Sequence, residues 1–241
     1  MNADPHDQTR GETVPVFAGN EPAPLSCNEA AALCTKAARG AGMSWGMAEE
    51  AGFAAAWLVS YGIDGPSHLR SHLEQADGLD WDDLCPAVTP GAWRNSKGQA
   101  VCPIILGATL CDYAELPEGP APDSKISLGP VNSPILLVPF LCELGRRNDL
   151  GFALHWDGGE LRIDGRREWL FEAAEALNVA QLSLVLGVEN TPCHQPCARK
   201  SPNARTTAAT VAALNSFAMR TTVPATEASR AGAGSTLSDN D

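Results

Sequence analysis

The sequence predicts an α+β fold, in which an N-terminal three-helix segment is followed by a small mixed sheet with a β-hairpin and packing helices. Two patterns carry this prediction. Residues 25–76 space their apolar side chains as helices do, with capping residues at the starts. From residue 100 onward, short apolar runs bounded by turn residues are typical of strands. Helices first and strands later fit α+β better than the regular alternation of a doubly wound sheet.

Three helices are predicted in the N-terminal third. Ser26 is an N-cap residue with Glu29 three positions later, which is the capping box of a helix start. The run of small residues at 51–56 in the second helix permits close approach of a neighbouring helix. The expected spans are 26–40, 44–62 and 66–76. Residues 1–24 lack periodicity and are predicted to be a disordered tail.

The rest of the chain mixes short strands with helices. Residues 157–159, Asp-Gly-Gly, are typical of a hairpin turn because glycine accepts positive φ. Strands are expected at 100–106, 126–128, 152–156, 160–163 and 182–188, helices at 134–147, 166–177 and 206–219, and loops at 79–95 and 116–123. We therefore expect residues 25–241 to form a single domain, with the C-terminal segment 221–241 docked on it.

Composition and charge restrict the class of protein. Of 241 residues, 44% are hydrophobic and 19% are charged, which is typical of a globular chain. The net charge of −12 opposes nonspecific binding to nucleic acid or to an anionic membrane, and no apolar run is long enough to span a bilayer. Eight cysteines without an N-terminal signal peptide favour reduced thiols. We expect a soluble cytoplasmic protein with no nucleic-acid and no membrane partner.

Charged and aromatic side chains gather at the predicted turn between the first two helices. Arg39 would hold a carboxylate or phosphate by charge-assisted hydrogen bonds, and Trp45 would form one wall of a pocket. Glu49 would act as general base if burial raises its pKa. The alternative is structural, because carboxylates are favoured in the first turns of a helix and Trp in a turn is commonly a packing residue.

A second candidate segment follows the last predicted helix. Its glycines would aim backbone N–H groups at an anion, and Glu227 would be a second candidate general base. The candidate ligand-binding residues here are Arg220, Ser229, Arg230, Gly232 and Gly234. Docked over the first helix–helix turn, this segment would bring its arginines to Arg39, whereas the alternative is a flexible tail.

One histidine pair and one segment with cysteine and histidine are considered as possible metal ligands. His68 and His72 are four residues apart and share a helix face, but no third ligand accompanies them, and a solvated face is the preferred interpretation. Residues 193–197, Cys-His-Gln-Pro-Cys, lack the second ligand pair that a zinc site requires. We predict no metal site and name no cofactor.

Residues 37–52, AARGAGMSWGMAEEAG, and the closing residues 220–241 resemble a proteobacterial family of unknown function. The resemblance extends from about residue 25 to the end of the chain. It implies that both candidate segments belong to one folded unit, and it supplies no activity.

Residues 62–68, Gly-Ile-Asp-Gly-Pro-Ser-His, resemble a motif of the malate/L-lactate dehydrogenase family of the second type. That family opens with a helix, a glycine-rich turn and a second helix before Gly-Ile-Asp-Ser-His-Gly, and residues 25–68 follow the same order. Here Gly65-Pro66 is inserted, and Leu69 stands in place of the last glycine. The resemblance implies that His68 is the acid/base residue of an NAD(P)H-dependent enzyme.

The preferred hypothesis is that the protein binds or transforms a small anionic metabolite, a carboxylate or a phosphate. One alternative is an NAD(P)H-dependent 2-oxo or imino acid oxidoreductase that uses His68. Another is a noncatalytic subunit or scaffold whose small-residue face, 51–56, contacts a partner. The sequence leaves open whether the protein is an enzyme and whether it forms a homo-oligomer.

Overall fold

A computed structural model of the chain describes residues 20–163, 168–190 and 206–221. These ranges contain seven α-helices and six β-strands. The α-helices are α1 (Cys27–Gly40), α2 (Trp45–Ser60), α3 (Gly65–Ala76), α4 (Pro103–Asp112), α5 (Val138–Asn148), α6 (Glu168–Ala176) and α7 (Ala208–Met219). The strands are β1 (Ala87–Thr89), β2 (Ala92–Arg94), β3 (Lys125–Asn132), β4 (Gly151–Trp156), β5 (Gly159–Ile163) and β6 (Gln181–Glu189). Two 3-10 helices span Trp81–Leu84 and Pro134–Leu137.

The strands form one mixed sheet in the order β1-β2-β3-β6-β4-β5. β2 and β3 are parallel, and the other neighbouring strands are antiparallel. A β-bulge interrupts the pairing of β3 with β6 between Ser127 and Gly129. With the N-terminal helices preceding this sheet, the predicted α+β class is confirmed.

One face of the sheet contributes to a continuous hydrophobic core shared with the helices. The alternation is clear where β4 pairs with β6. Leu154 and Leu186 are opposite one another and fully buried, whereas the next pair, His155 and Val185, is only half-buried. Successive strand residues point to opposite faces, so the second pair belongs to the outward face. Burial of each leucine stabilises the fold by about 1.5–3 kcal/mol.

The N-terminal helices form as predicted, with their caps. The Ser26 N–H donates to Glu29 Oε2 (2.8 Å), and the Glu29 N–H donates to Ser26 Oγ (3.2 Å), which completes the capping box of α1. Ser44 caps α2. Asp64 caps α3 by accepting a hydrogen bond from the Ser67 N–H (3.2 Å), so the helix begins at Gly65, one residue before the expected start at 66.

The small-residue face of α2 packs against helices of the same chain. A Cβ at Gly52 would lie 2.1 Å from Thr35 Oγ1 of α1. A Cβ at Gly65 of α3 would lie 2.2 Å from the carbonyl oxygen of Ala55. This face, offered above as a partner surface, is therefore covered inside the chain.

The prediction of a loop at 79–95 is wrong. The segment forms a 3-10 helix and then the β1–β2 hairpin, which adds two strands at the edge of the sheet. Pro90 and Gly91 are the reason, because proline and then glycine at the centre of a four-residue turn suit a tight reversal. Gly91 has a φ of +72°, as such a turn requires.

The strand predicted at 100–106 is also wrong. α4 begins at Pro103 with Cys102 as its N-cap residue, and Val101 makes one isolated parallel bridge to Val131. Because α4 is buried on most sides, its apolar run lacks the periodicity that would distinguish a helix from a strand. Proline at the first helical position was the informative residue.

The other predicted elements of the C-terminal half are present with slightly shifted ends. The predicted hairpin is β4–β5, and the runs at 126–128 and 182–188 lie in β3 and β6. The helix expected from residue 134 is a 3-10 helix followed by α5, and the last two predicted helices are α6 and α7. The face of α6 and the residue that follows it contribute buried side chains to the core: Trp169, Leu170, Ala173 and Leu177.

Part of the predicted N-terminal tail contacts the segment that leads into α7. The Ala23 N–H donates to the Thr206 carbonyl (2.7 Å), and the Ala208 N–H donates to the Glu21 carbonyl (2.9 Å). Residues 1–19, and residues 222–241 that were predicted to dock, lie outside the described residues. In the described ranges, no helix combines the length and apolar character needed to cross a bilayer.

Candidate functional site

The turn between α1 and α2 holds Arg39 and Trp45 in contact. The guanidinium carbon lies 4.8 Å from the centroid of the indole ring, and Nη1 donates a hydrogen bond to the carbonyl of Met43. The buried Nε of Arg39 has no hydrogen-bond partner among the described residues. Trp45 is 68% exposed, so the indole covers the guanidinium while most of its own surface faces solvent.

Glu49 faces a different environment. It lines a cleft of about 480 Å³ whose other charged residues are Glu50, Asp112, Glu143 and Arg147. Arg147 Nε is 2.7 Å from Glu143 Oε1, so the one guanidinium is already paired. Burial, reinforced by Asp112, raises the pKa of Glu50. Arg39 is not part of this lining, and an excess of carboxylates suits a cation better than an anion.

The C-terminal end of α7 lies against the end of α1. A Cβ at Gly40 would come within 1.7 Å of the Phe217 carbonyl oxygen. Arg220 pairs with both carboxylate oxygens of Asp77, at 2.6 and 3.0 Å, and its guanidinium carbon lies 4.3 Å from the centroid of the Phe217 ring. The other candidates of this segment lie outside the described residues: Glu227, Ser229, Arg230, Gly232 and Gly234.

His72 belongs to the core, so the interpretation of His68 and His72 as a solvated face is wrong for His72. Its Nε2 lies 3.1 Å from Cys102 Sγ, and both residues are fully buried. Burial lowers the pKa of His72 to about 4 and raises that of the Cys102 thiol to about 12. His68 is half-buried, and burial lowers its pKa against the opposing effect of Asp64.

No group of three or more His, Cys, Asp and Glu side chains suited to a metal ion occurs in the described part of the chain. His68 and His72 therefore do not share a ligand set there. Residues 193–197 lie outside the described ranges.

Ion pairing distinguishes one exposed arginine among those described. Of the seven described arginines, five pair with carboxylates: Arg70, Arg146, Arg147, Arg162 and Arg220. Arg39 is engaged by Met43 and Trp45. Arg94 is exposed, and no carboxylate pairs with it within the described ranges.

Arg94 lines a cleft of about 530 Å³ on the outward face of the sheet, which we call the sheet cleft. One wall is the end of β2 with the loop that follows it, residues 94–99. The floor is formed by β3 and β6, and the other wall is the end of β4 with the hairpin turn, residues 155–157. The lining side chains with polar groups include Arg94, Gln99, Ser127, Ser183, His155 and Asp157.

The neighbouring strand β3 positions Arg94. Its Nε and Nη2 donate hydrogen bonds to Ser127 Oγ at 2.8 and 2.5 Å. The side chain crosses Gly129, where a Cβ would lie 3.3 Å from Arg94 Cγ. Gly129 has a φ of +66° at the β-bulge, a conformation that favours glycine. Nη1 of Arg94 has no partner among the described residues, so it is available to a ligand.

Asn95 fixes the loop that forms the same wall. Its Nδ2 donates to the carbonyls of Asp83 (2.6 Å) and Cys85 (3.1 Å). Its Oδ1 accepts a hydrogen bond from the Lys97 N–H (2.8 Å) and a longer one from the Gln99 N–H (3.3 Å). The side chain is almost fully buried, so these bonds hold the loop in one conformation.

His155 on the opposite wall is held by its neighbours. Its Nδ1 lies 3.2 Å from Glu160 Oε2 on β5, and Arg162 Nε lies 2.7 Å from Glu160 Oε1. The hydrogen bond from Arg162 is the main cause that lowers the pKa of Glu160. Nε2 of His155 lies over Gly187 of β6, where a Cβ would be only 3.0 Å away. These contacts fix the plane of the imidazole.

None of the candidate site residues predicted from the sequence and present in the described ranges lines the sheet cleft. Ser127, Val185 and His155 lie side by side on β3, β6 and β4, although they are far apart in the chain. Polar or small residues at the outward positions of these strands, such as Ser127 and Ser183, could have indicated a sheet face that no helix covers. They do not indicate which strands are neighbours in the sheet.

Comparison with known proteins gives a family match for the N-terminal part of the chain and no activity. No curated protein and no solved structure matches the chain. The family match begins at residue 25, as the resemblance predicted, but ends in the N-cap residue of α4 rather than at the C-terminus. Residues 25–102 match the family described as "Protein of unknown function (DUF3726)", which confirms the resemblance to a family of unknown function for this part of the chain.

Proposed function

We propose that this chain is a cytoplasmic bacterial protein that binds a small anionic metabolite, a carboxylate or a phosphate, in the sheet cleft. The observation that carries the proposal is Arg94, an exposed guanidinium that lines a concave surface without a carboxylate partner among the described residues. A hydrogen bond between charged groups contributes about 1.5–3 kcal/mol. An anion in the cleft would supply the missing charge.

The cleft has the size and construction of a small-molecule site. Its volume of about 530 Å³ falls among those of ligand pockets. Ser127 orients the guanidinium, and Asn95 holds the loop beside it. Arginine that is already oriented loses little conformational entropy when an anion binds.

The two described arginines of the site predicted at the α1–α2 turn, Arg39 and Arg220, are less available to a ligand. Arg39 donates to the carbonyl of Met43 and stacks on Trp45, and Arg220 is paired with Asp77. An anion at this turn would compete with contacts that already exist. Binding of an anion to Arg94 does not require an existing ion pair to break.

The cellular setting rests on two further observations. The resemblance to a proteobacterial family favours a bacterial source. Cys34 and Cys102 are buried free thiols, which favours a reducing compartment.

A binding series tests the proposal. Butyrate and inorganic phosphate are titrated into the protein, and binding is followed by ligand-observed NMR and by the thermal unfolding temperature. Arg94→Ala should weaken binding of the anion about tenfold or more, because it removes the charge that the anion contacts. Arg70→Ala, which removes an exposed helix arginine paired with Glu74, should not.

Arg39→Ala distinguishes the two sites. Loss of binding in this variant together with unchanged binding in Arg94→Ala would assign the site to the turn between α1 and α2 and overturn the proposal. If neither butyrate nor phosphate binds to the intact chain, the proposal is also overturned.

A further inference from the structure

The two walls of the sheet cleft have opposite hydrogen-bonding character. The first wall carries Arg94, whose guanidinium has donors and no acceptor. The second wall carries Asp157, whose carboxylate has acceptors only, and His155. A simple anion satisfies the first wall but places negative charge towards Asp157.

Contact with Glu160 makes His155 an acceptor beside Asp157 when its imidazole is neutral. In that form Nδ1 donates to the Glu160 carboxylate at 3.2 Å, and Nε2 keeps the lone pair. The Asp157 carboxylate has no hydrogen-bond or ion-pair partner among the described residues. The second wall therefore presents two acceptors and no donor from these two side chains.

From these walls we propose that the ligand is a zwitterion, a small amine-bearing carboxylate whose carboxylate meets Arg94 and whose ammonium group meets Asp157 and His155. This inference rests on the proposed function, and it names the class of ligand for the same site. An ammonium group has three donors and no acceptor, which complements the second wall as the carboxylate complements the first.

The width of the cleft sets the separation of the two charges. Ser127, which holds the guanidinium, and His155 are two strands apart, which is about 10 Å between their backbones. Side chains on strands this far apart are bridged by a ligand whose two charged groups are separated by more than one carbon. An ω-amino acid with two or three carbons between amine and carboxylate fits this span better than an α-amino acid.

Four probes test the inference on the full chain by calorimetry or NMR titration: butyrate, glycine, 3-aminopropionate and 4-aminobutyrate. The intact chain should bind 3-aminopropionate or 4-aminobutyrate about tenfold tighter than butyrate, and also tighter than glycine. Asp157→Asn should abolish this preference, because it removes both the charge that the ammonium group meets and the charge that repels butyrate. The hairpin should tolerate that change, because Asn-Gly is as favourable a turn as Asp-Gly.

Asp112→Asn is the matched control, since Asp112 is an exposed aspartate of the acidic cleft. It should keep the preference for the amino acid. Equal binding of butyrate and 4-aminobutyrate to the intact chain, both weakened by Arg94→Ala, would overturn the zwitterion while the anion site stands. An unchanged preference in Asp157→Asn would overturn it too. Failure of all four probes to bind would remove the anion site itself.

Discussion

Gly129 makes room for the side chain of Arg94. A Cβ at residue 129 would lie 3.3 Å from Arg94 Cγ, and the glycine occupies a φ of +66° that side chains disfavour. The same residue therefore shapes the β-bulge of β3 and lets the guanidinium reach Ser127. A side chain at residue 129 would therefore disturb both the backbone of β3 and the position of the guanidinium.

Replacement of this glycine should affect both stability and binding. Gly129→Ala should lower the free energy of unfolding by about 1–2 kcal/mol, because alanine is strained at positive φ. It should also weaken butyrate binding, since Arg94 must shift. Gly78→Ala is the control, with φ of +80° and open space around its Cβ. Urea denaturation and titration of both variants check this, and equal butyrate binding by the two would contradict the role of Gly129.

Local patterns explain which parts of the fold could be predicted. The Ser26 capping box and the Asp-Gly-Gly hairpin depend on residues within a few positions of each other, so the sequence alone identifies them. α4 was mistaken for a strand because a run buried on most sides has no amphipathic period. Its Pro103 was the better guide.

The sheet cleft could not be predicted for a different reason. Ser127, Val185 and His155 become neighbours only through the strand order β3-β6-β4. Strand order depends on contacts between residues far apart in the chain, and no local pattern identifies it. The turn between α1 and α2 could be predicted as a candidate site because Arg39 and Trp45 are close in the chain. In the structure these two side chains contact each other.

The close contact between α1 and α7 predicts a strong effect of a small substitution. Gly40→Ala would place a Cβ within 1.7 Å of the Phe217 carbonyl oxygen, so α7 must move. We expect a loss of about 2 kcal/mol or more in the free energy of unfolding, as overpacking produces. Gly46→Ala, with open space around its Cβ, should be neutral or slightly stabilising. Similar stabilities of the two variants would mean that α7 does not lie against Gly40.

The buried His72 predicts a specific pH dependence of stability. Burial lowers its pKa in the folded state to about 4, against 6.5 as the ordinary value. Between these pH values the unfolded chain binds a proton that the folded chain does not, so stability falls as the pH is lowered from about 6.5 to 4. The loss amounts to about 3 kcal/mol. Half-buried His68 adds a smaller effect of the same sign.

Chemical denaturation at several pH values between 4.5 and 7 measures this slope. His72→Gln should reduce the slope strongly, whatever its effect on stability at neutral pH. His68→Gln should reduce it less. A slope that is unchanged in His72→Gln would show that His72 is not held neutral by burial.

Truncation separates the two candidate sites. If the sheet cleft holds the ligand, a chain that ends at Thr221 should bind butyrate as tightly as the full chain, because every lining residue of the cleft precedes that point. Binding lost on truncation, with an unchanged far-UV circular dichroism spectrum, would instead support a site built from residues 222–241 and Arg39.

Amide chemical shifts of the labelled full chain during titration with butyrate locate the anion site. Binding in the sheet cleft predicts saturable shifts at its glycines, Gly98 and Gly129, and unchanged shifts at Gly42 and Gly46 beside the α1–α2 turn. Shifts confined to Gly42 and Gly46, or no saturable shift at all, would contradict it.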